Sequence, residues 1–285
     1  MRRIIVNADD FGLCNDVTQG ILDAHLNEQV SSTTLMVNMQ ATEQAVEIAH
    51  SHPRLGVGLH FNLTEGRPLT RVPSLVDESG QFLLRGELLR RCLRRAIDPG
   101  DIRREFEAQL TRIHEHGIVP THIDSHQHVH MAPWVFRAMS PVLDSQVSRM
   151  RLVRPPRRPK GSLSSPISSV RNTSMSMAAR RIQHRFAGAT NDRLVSLHLL
   201  PANHGWTSTD YEAVVSQTEP SDLVEVMVHP FSPGSDLEEM YQNDPIREIR
   251  LEFARQCWEE HRLLTSVDDP PFGRDRYHLV SWSEA

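Results

Sequence analysis

The feature that most constrains this chain is its rhythm: short β-rich runs alternate with longer helical patterns seven or eight times over 285 residues. Residues 3–8 read as a buried strand, and residues 16–27 carry helix spacing, with Val17, Ile21, Leu22 and Ala24 on the apolar side. A strand over 32–38, a helix over 42–50 and a strand over 55–63, broken by Gly56 and Gly58, complete a β-α-β-α-β opening. Residues 101–116 form an amphipathic pattern closed by Gly117, with Asp101 placed to cap its amino end. Residues 121–129 and 149–154 read as strands flanking a helix near 134–143. After a break, the rhythm resumes with a strand over 194–200, a helix near 211–217, a strand over 223–228, a helix over 246–261 and a last strand around 279–282. Repeated βα units require a parallel sheet covered on both faces, and this many favour closure. The expected fold is α/β, an irregular TIM-like (β/α) barrel forming a single domain over residues 1–285. The Pro-, Ser- and Arg-rich stretch at about 155–192 reads as a surface insertion, or as a lid over a site.

Composition narrows the partners. A formal net charge of -5 offers no electrostatic case for a nucleic-acid backbone or an anionic membrane. Cys14, Cys92 and Cys257 cannot all pair and show no CxxC spacing, so neither a disulfide framework nor a thiolate zinc site is expected. The opening MRRIIVNADD lacks the apolar core of a signal peptide, and no later run approaches the ~20 apolar residues needed to cross a bilayer. The expected location is cytoplasmic. No Gly-rich phosphate loop follows any strand, which removes the main support for nucleotide binding. Against 3 tyrosines stand 16 histidines, which directs attention to metal binding and proton transfer.

In such barrels chemistry sits at the carboxyl ends of the strands, and four strand ends here are rich in polar groups. The first is N-A-D-D-F-G, residues 7–12. Adjacent strand residues face opposite ways, so Asp9 and Asp10 can share a site only where the chain leaves the strand and turns, for which Gly12 is suited. The bland alternative is a pair of helix-capping aspartates before Val17. The second is G-L-H-F-N-L-T, residues 58–64, in which His60 taken alone could equally be a core histidine. The third, T-H-I-D-S-H-Q-H-V-H over 121–130, is the strongest: if extended, His122, Asp124, His126, His128 and His130 all face one side. A packed core does not accept such a row, because each unpaired buried polar group costs roughly 1–3 kcal/mol. Residues two apart in a strand are about 7 Å apart, so only one or two of these can bind one ion. The fourth is E-V-M-V-H-P-F, residues 225–231, where Pro230 stops the strand just after His229.

Two carboxylates and three imidazoles gathered from the strand ends suffice for an Asp-His-His metal site with one base and one acid beside it. Metal-activated water then points to hydrolysis. A serine or cysteine nucleophile fares worse: there is no G-x-S-x-G elbow, and Cys14 lies just past the aspartates without an obvious base.

These motifs, with S-S-T-T-L-M-V-N over 31–38, V-M-V-H-P over 226–230 and the late pattern at Tyr241, Arg247 and Arg250, together resemble the YdjC-like carbohydrate deacetylases. The resemblance covers most of the chain except about 155–192. It implies a barrel that binds one divalent ion, Mg²⁺ or Zn²⁺, and hydrolyses the N-acetyl amide of an amino sugar such as a chitooligosaccharide. It implies Asp10, His60 and His126 as metal ligands, Asp9 as the base and His229 as the acid protonating the leaving amine. Arg151 or Arg154 would hold Asp9, and His128 and His130 would orient ligands or contact substrate. A homodimer is also implied.

Of the aromatic residues beside the motifs, Phe61, Trp134, Trp206 and Phe231, Trp206 is the best candidate for a sugar platform because residues 203–206 read as a polar loop. Two other readings compete with the deacetylase. One is a metal-dependent phosphoesterase or sugar isomerase on a similar barrel; bimetallic phosphoesterases need more ligands, so two metals per chain would favour that reading. A non-catalytic carbohydrate-binding protein would need a disabled site, and none of the base, ligand or acid positions is substituted.

Overall fold

β1 (Arg2–Phe11) is buried along nearly its whole length, and its ladders organise the sheet. The computed structural model describes residues 1–156, 166–199 and 205–285. β1 pairs in parallel with β2 (Ser32–Leu35) on one side and β8 (Val224–Val228) on the other. Beyond β2 follow β3 (Gly56–Phe61), β4 (Ile123–Ser125), β5 (Arg149–Met150) and β6 (Ala189–Thr190); beyond β8 lies β7 (Arg193–Val195). Every one of these ladders is parallel.

The two ends of this path, β6 and β7, are consecutive in the chain, so the sheet curls to bring its edges together. Among the described residues these two strands form no ladder with each other, and Asn191 joins the gap. Its side chain accepts from the Leu152 amide at 2.6 Å and donates to the carbonyls of Leu152 and Arg193, each at 3.1 Å. The Leu194 amide donates to the Arg154 carbonyl at 2.8 Å. The result is the irregular TIM-like barrel that the alternation implies.

The outer layer comprises α1 (Asn15–Leu26), α2 (Thr42–Ser51), α3 (Arg85–Leu93), α4 (Pro99–Glu115), α5 (Pro133–Gln146), α6 (Pro166–Gln183), α7 (Ser208–Ser216), α8 (Asp236–Met240) and α9 (Arg247–Leu264). Alternation along β1 separates two kinds of interior. Ile4, Val6 and Ala8 join the main core, while Ile5 belongs to a small cluster with Val280 and Trp282. That cluster closes the amino-terminal end of the barrel, where β9 (Tyr277–Leu279) pairs with the first residues of β1. Trp282 stacks on His122, with ring centroids 4.7 Å apart and planes at 14°, and its indole donates to Glu225 Oε1 at 3.3 Å.

Several elements differ from expectation. The cap of α4 is Asp98, whose side chain accepts from the Gly100 amide at 2.8 Å, with Pro99 opening the helix; Asp101 is instead buried and accepts from the Ser74 amide and hydroxyl. β5 stops at Met150 although residues 149–154 read as strand, because Leu152 and Arg154 pair with Asn191 and Leu194. The stretch 155–192 contains α6, whose Ala179 and Ile182 are buried in the main core; residues 157–165 lie outside the described residues. Among the described residues no helix is long and apolar enough to cross a membrane.

α1 approaches the chain after β8 most closely at Gly20, where a Cβ would stand 2.0 Å from the Pro230 carbonyl oxygen and 2.5 Å from the Ser232 amide. Both contacts are backbone, so neither can swing away. Gly20→Ala is expected to lower stability by about 1–3 kcal/mol in urea unfolding. An unchanged midpoint would show that α1 is not seated against this turn.

Candidate active site

Asp9 and Asp10 come to one side of the molecule by a bulge inside β1, not by a turn after it. Ala8 aligns with Thr33 and Phe11 with Leu35, so β1 takes one more residue than β2 over this span. The extra residue re-aims the side chains. Asp10 adopts φ +69°, in the left-handed region that non-glycine residues avoid, at a strain on the order of 1–3 kcal/mol.

The histidine row also differs from the extended face expected of it. β4 ends at Ser125, and His126–Met131 forms a 3₁₀ turn with Gln127 and His128 in left-handed conformations, φ 53° and 58°. The coiling sends the histidines to different tasks. His126 faces Asp10. His128 lines the same cavity as Asp9 and His229. His130 is tied down structurally, Nδ1 2.5 Å from Ser125 Oγ and Nε2 3.0 Å from the Arg151 carbonyl. His122 lies below, against Trp282.

Asp10 Oδ1 is 2.7 Å from His126 Nδ1 and 3.0 Å from His60 Nε2, so one carboxylate oxygen collects two imidazole nitrogens. His60 Nδ1 is fixed in turn, 2.7 Å from Asp124 Oδ1 and 3.0 Å from Thr34 Oγ1. A carboxylate behind an imidazole is the usual device for orienting a metal-binding histidine. His126 Nε2 is buried with no hydrogen-bond partner among the described residues. Asp10, His60 and His126 offer ligand atoms that all lie within 4.8 Å of one another, and this oxygen–nitrogen–nitrogen set could hold a divalent ion with positions left open. For His60, burial is outweighed by Asp124 and Asp10, and the imidazole is pushed up to about 10. A cation binding there must displace that proton.

Arg151, not Arg154, holds Asp9. Its fully buried guanidinium grips both Asp9 oxygens, Nη1 to Oδ2 at 2.6 Å and Nη2 to Oδ1 at 2.7 Å. It also reaches Asp124 Oδ2 at 2.6 Å and, through Nε, Glu225 Oε1 at 2.8 Å. Arg154 bonds Gln183 instead. Asn7 adds a donor to Asp9 Oδ1 at 2.9 Å. Although burial opposes it, Arg151 and His60 hold the Asp124 carboxyl well below the usual range. Glu225 goes the other way, pushed up to about 7 by burial with help from Asp9 and Asp124. Asp9, His60 and Asp124 also form a cluster of possible ligands, but Arg151 already occupies both carboxylates.

Asp9, Asp10, His60 and His126 open into a cavity of about 430 Å³. His229 lines it, buried, with burial and the neighbouring His198 lowering its imidazole pKa. Trp206 does not line it: it is buried edge-on against His198, ring centroids 4.8 Å apart. Trp134 lines a separate hollow. Tyr241 and Arg250, from the late pattern of the sequence, also line the cavity, and Glu65 stands behind them. Glu65 lies 3.9 Å from His126 Nε2 and 2.5 Å from Arg250 Nη1, and Arg250 stacks over Tyr241 at 4.4 Å. Glu225 had a usable signal, because Glu225, Met227 and His229 alternate on one face of β8; Glu65, on a loop, had none.

A family model described as YdjC-like protein matches residues 3–268. The chain belongs to the YdjC-like family. This YdjC-like chain is 54% identical over 157 residues to a carbohydrate deacetylase of Geobacillus stearothermophilus, covering 55% of this chain and 60% of that one. It is 48% identical over 134 residues to a chitooligosaccharide deacetylase of Yersinia pestis, covering 47% and 52%. The matches thus span about half the length of these relatives. A solved structure from Enterococcus faecalis, assigned provisionally to cellobiose-phosphate cleavage, superposes with a TM-score of 0.74 over 99% of this chain and 98% of that one at 23% identity. That likeness is one of fold.

Because Glu225 is raised in the folded protein from its ordinary 4.5 to about 7, the stability it contributes is full below pH 4.5 and is lost as pH rises through 7. Glu225→Gln cannot ionise. Between pH 5 and 8 the variant should therefore gain stability relative to wild type, as read by urea unfolding at each pH; parallel curves would show that Glu225 carries no such proton.

Proposed function

We propose that this chain is a metal-dependent carbohydrate N-deacetylase that removes the acetyl group from an N-acetylated amino sugar, free as a chitooligosaccharide or part of a glycan or glycolipid headgroup. Asp10, His60 and His126 would hold one divalent ion, Mg²⁺ or Zn²⁺. The observation that carries the reading is the meeting of two imidazoles on one Asp10 oxygen, with the Arg151-held Asp9 as its chain neighbour, on the wall of one cavity. The deacetylase names of the partial-length relatives support the same chemistry.

Hydrolysis of an amide needs a nucleophile, a means of stabilising the oxyanion and a proton for the departing nitrogen. When bound, the ion supplies Lewis acidity, lowering the pKa of water from about 15.7 toward about 7 and polarising the acetyl oxygen. Asp9 takes one proton of the attacking water as the water oxygen adds to the acetyl carbon. Arg151 and Asn7 keep its carboxylate in one orientation: Oδ1 accepts from both, and Oδ2, which accepts from Arg151 Nη1, retains a lone pair for that proton. The C–N bond then breaks as His229 delivers a proton to nitrogen, giving acetate and a free amine. A lowered pKa makes the His229 imidazolium a stronger donor. Phe253 and Tyr241 give the cavity an aromatic wall against which the carbon face of a sugar can lie.

Chelation is expected to abolish acetate release from a panel of N-acetylated amino sugars, with activity restored by added Mg²⁺ or Zn²⁺, as followed by mass spectrometry of the deacetylated products. Metal-independent release, or none from any substrate with any divalent ion, would end this reading. Asp9→Asn should still bind one metal per chain by elemental analysis yet lose about 10²- to 10⁴-fold in kcat. A variant that keeps its turnover would remove Asp9 from the role of base.

A further inference from the structure

His229 is not held by its own ring. Its Nδ1 is buried without a hydrogen-bond partner among the described residues, and the ring lies edge-on to His198 at 4.9 Å and Phe253 at 5.2 Å between centroids. The fixed part is its peptide, whose amide donates to Glu260 Oε2 at 2.5 Å. Glu260 comes from α9, is fully buried, and receives two further donors: His198 Nε2 on the same oxygen at 3.0 Å and the Tyr211 hydroxyl on Oε1 at 2.5 Å. No arginine or lysine pairs with it among the described residues. A buried carboxylate is penalised by several kcal/mol unless it is well compensated, and a packed apolar side chain would avoid that penalty. Three donors, from the residue just after β8, from α7 and from the 3₁₀ turn at Leu197–Leu199, therefore converge on a group that the fold alone does not require.

We propose that Glu260, held by Tyr211 and acting through His198, is the positioning residue that sets the His229 imidazole for proton delivery to the departing nitrogen; this rests on the deacetylase reading. A carboxylate only accepts, so His198 Nε2 carries the hydrogen and its ring cannot flip without losing the bond. Trp206 at 4.8 Å and Phe253 at 4.8 Å confine that ring on other sides. His198 thus presents a fixed wall to His229, with a negative charge behind it that favours the imidazolium. The same three groups could collect a cation, His198, His229 and Glu260 having ligand atoms within 4.8 Å. The His229 amide on Oε2 and the Tyr211 hydroxyl on Oε1 already use this carboxylate, which speaks for positioning over ligation.

The test compares the metal-loaded wild type with Glu260→Gln and His198→Gln on two acetyl donors. An N-acetylated amino sugar needs a proton on its leaving nitrogen, whereas p-nitrophenyl acetate expels a phenolate that leaves unprotonated. The amide-to-ester ratio of kcat/KM is expected to fall roughly 10- to 100-fold in both variants, through kcat and with KM little changed, and His229→Gln should show a fall at least as large. Tyr211→Phe should move the ratio in the same direction and decides the matter if the other variants fail to fold. Equal losses on both substrates would reduce Glu260 to a structural role and overturn the proposal. So would two metals per chain in the wild type falling to one in Glu260→Gln. A wild type that releases acetate from no amide would remove the deacetylase reading itself, whereas an active wild type with an unchanged ratio in the variants would remove this inference alone.

Discussion

A single guanidinium in the middle of the barrel sets the terms for everything around it. TIM-like barrels ordinarily fill their interior with layers of branched apolar side chains. Here only the amino-terminal end follows that rule, with Ile5, Val280 and Trp282. Above them Arg151, fully buried, is ringed by Asp9, Asp124 and Glu225. Such an interior is tolerated because its donors and acceptors meet: Asn7 serves Asp9, Thr34 serves Asp124, and Trp282 serves Glu225. Removing one partner from a buried ion cluster typically costs about 3–5 kcal/mol, because the others are left without compensation. The polar interior therefore behaves as one unit.

That unit also explains where the backbone is strained. To bring Asp9 onto Arg151 and Asp10 onto the two imidazoles, β1 must turn adjacent side chains to one site, which the bulge and the left-handed Asp10 accomplish. To bring His126 to the same point while His130 stays anchored beneath, the chain after β4 must coil at once, through Gln127 and His128. Non-glycine residues at positive φ persist only where their surroundings over-determine them. Among the described residues, two of the five such positions follow His126 directly and a third is Asp10 itself.

The fold was legible because it follows from periodicity, which survives in a single sequence: β1, β8, α1 and α9 all stand close to where apolar spacing puts them. The failures are local and physical. The strand expected over 121–129 shortened to three residues, since period-two polarity describes an extended chain and cannot distinguish it from a 3₁₀ turn in which each histidine finds a different partner. The cap at Asp98 was hidden because Asp101 has the same side chain and its Ser74 partners are remote in sequence. At the site, Asp9, Asp10, His60, His126 and His229 stood out as polar groups at strand ends and share one cavity. Glu65 on a loop and Glu260 in a long charged helix did not, because nothing local marks a glutamate whose partners arrive from other elements.

Charge bears on the cation independently of ligand geometry. Asp9, Asp124 and Glu225 share Arg151, and Asp10 stands beside them against His60 and His126, which leaves three negative charges if all four carboxylates are ionised. The raised pKa of Glu225 lets one of them be cancelled by a proton at neutral pH. Two remain, and Asp124 and Asp10 raise the pKa of the His60 imidazole, so a proton there offsets part of that charge. A divalent ion beside Asp10 would neutralise the remainder and release His60 to act as a ligand. On the proposed reading, the buried charge of the barrel and the donor set at its rim would favour the same occupant and would couple its binding to the loss of a proton.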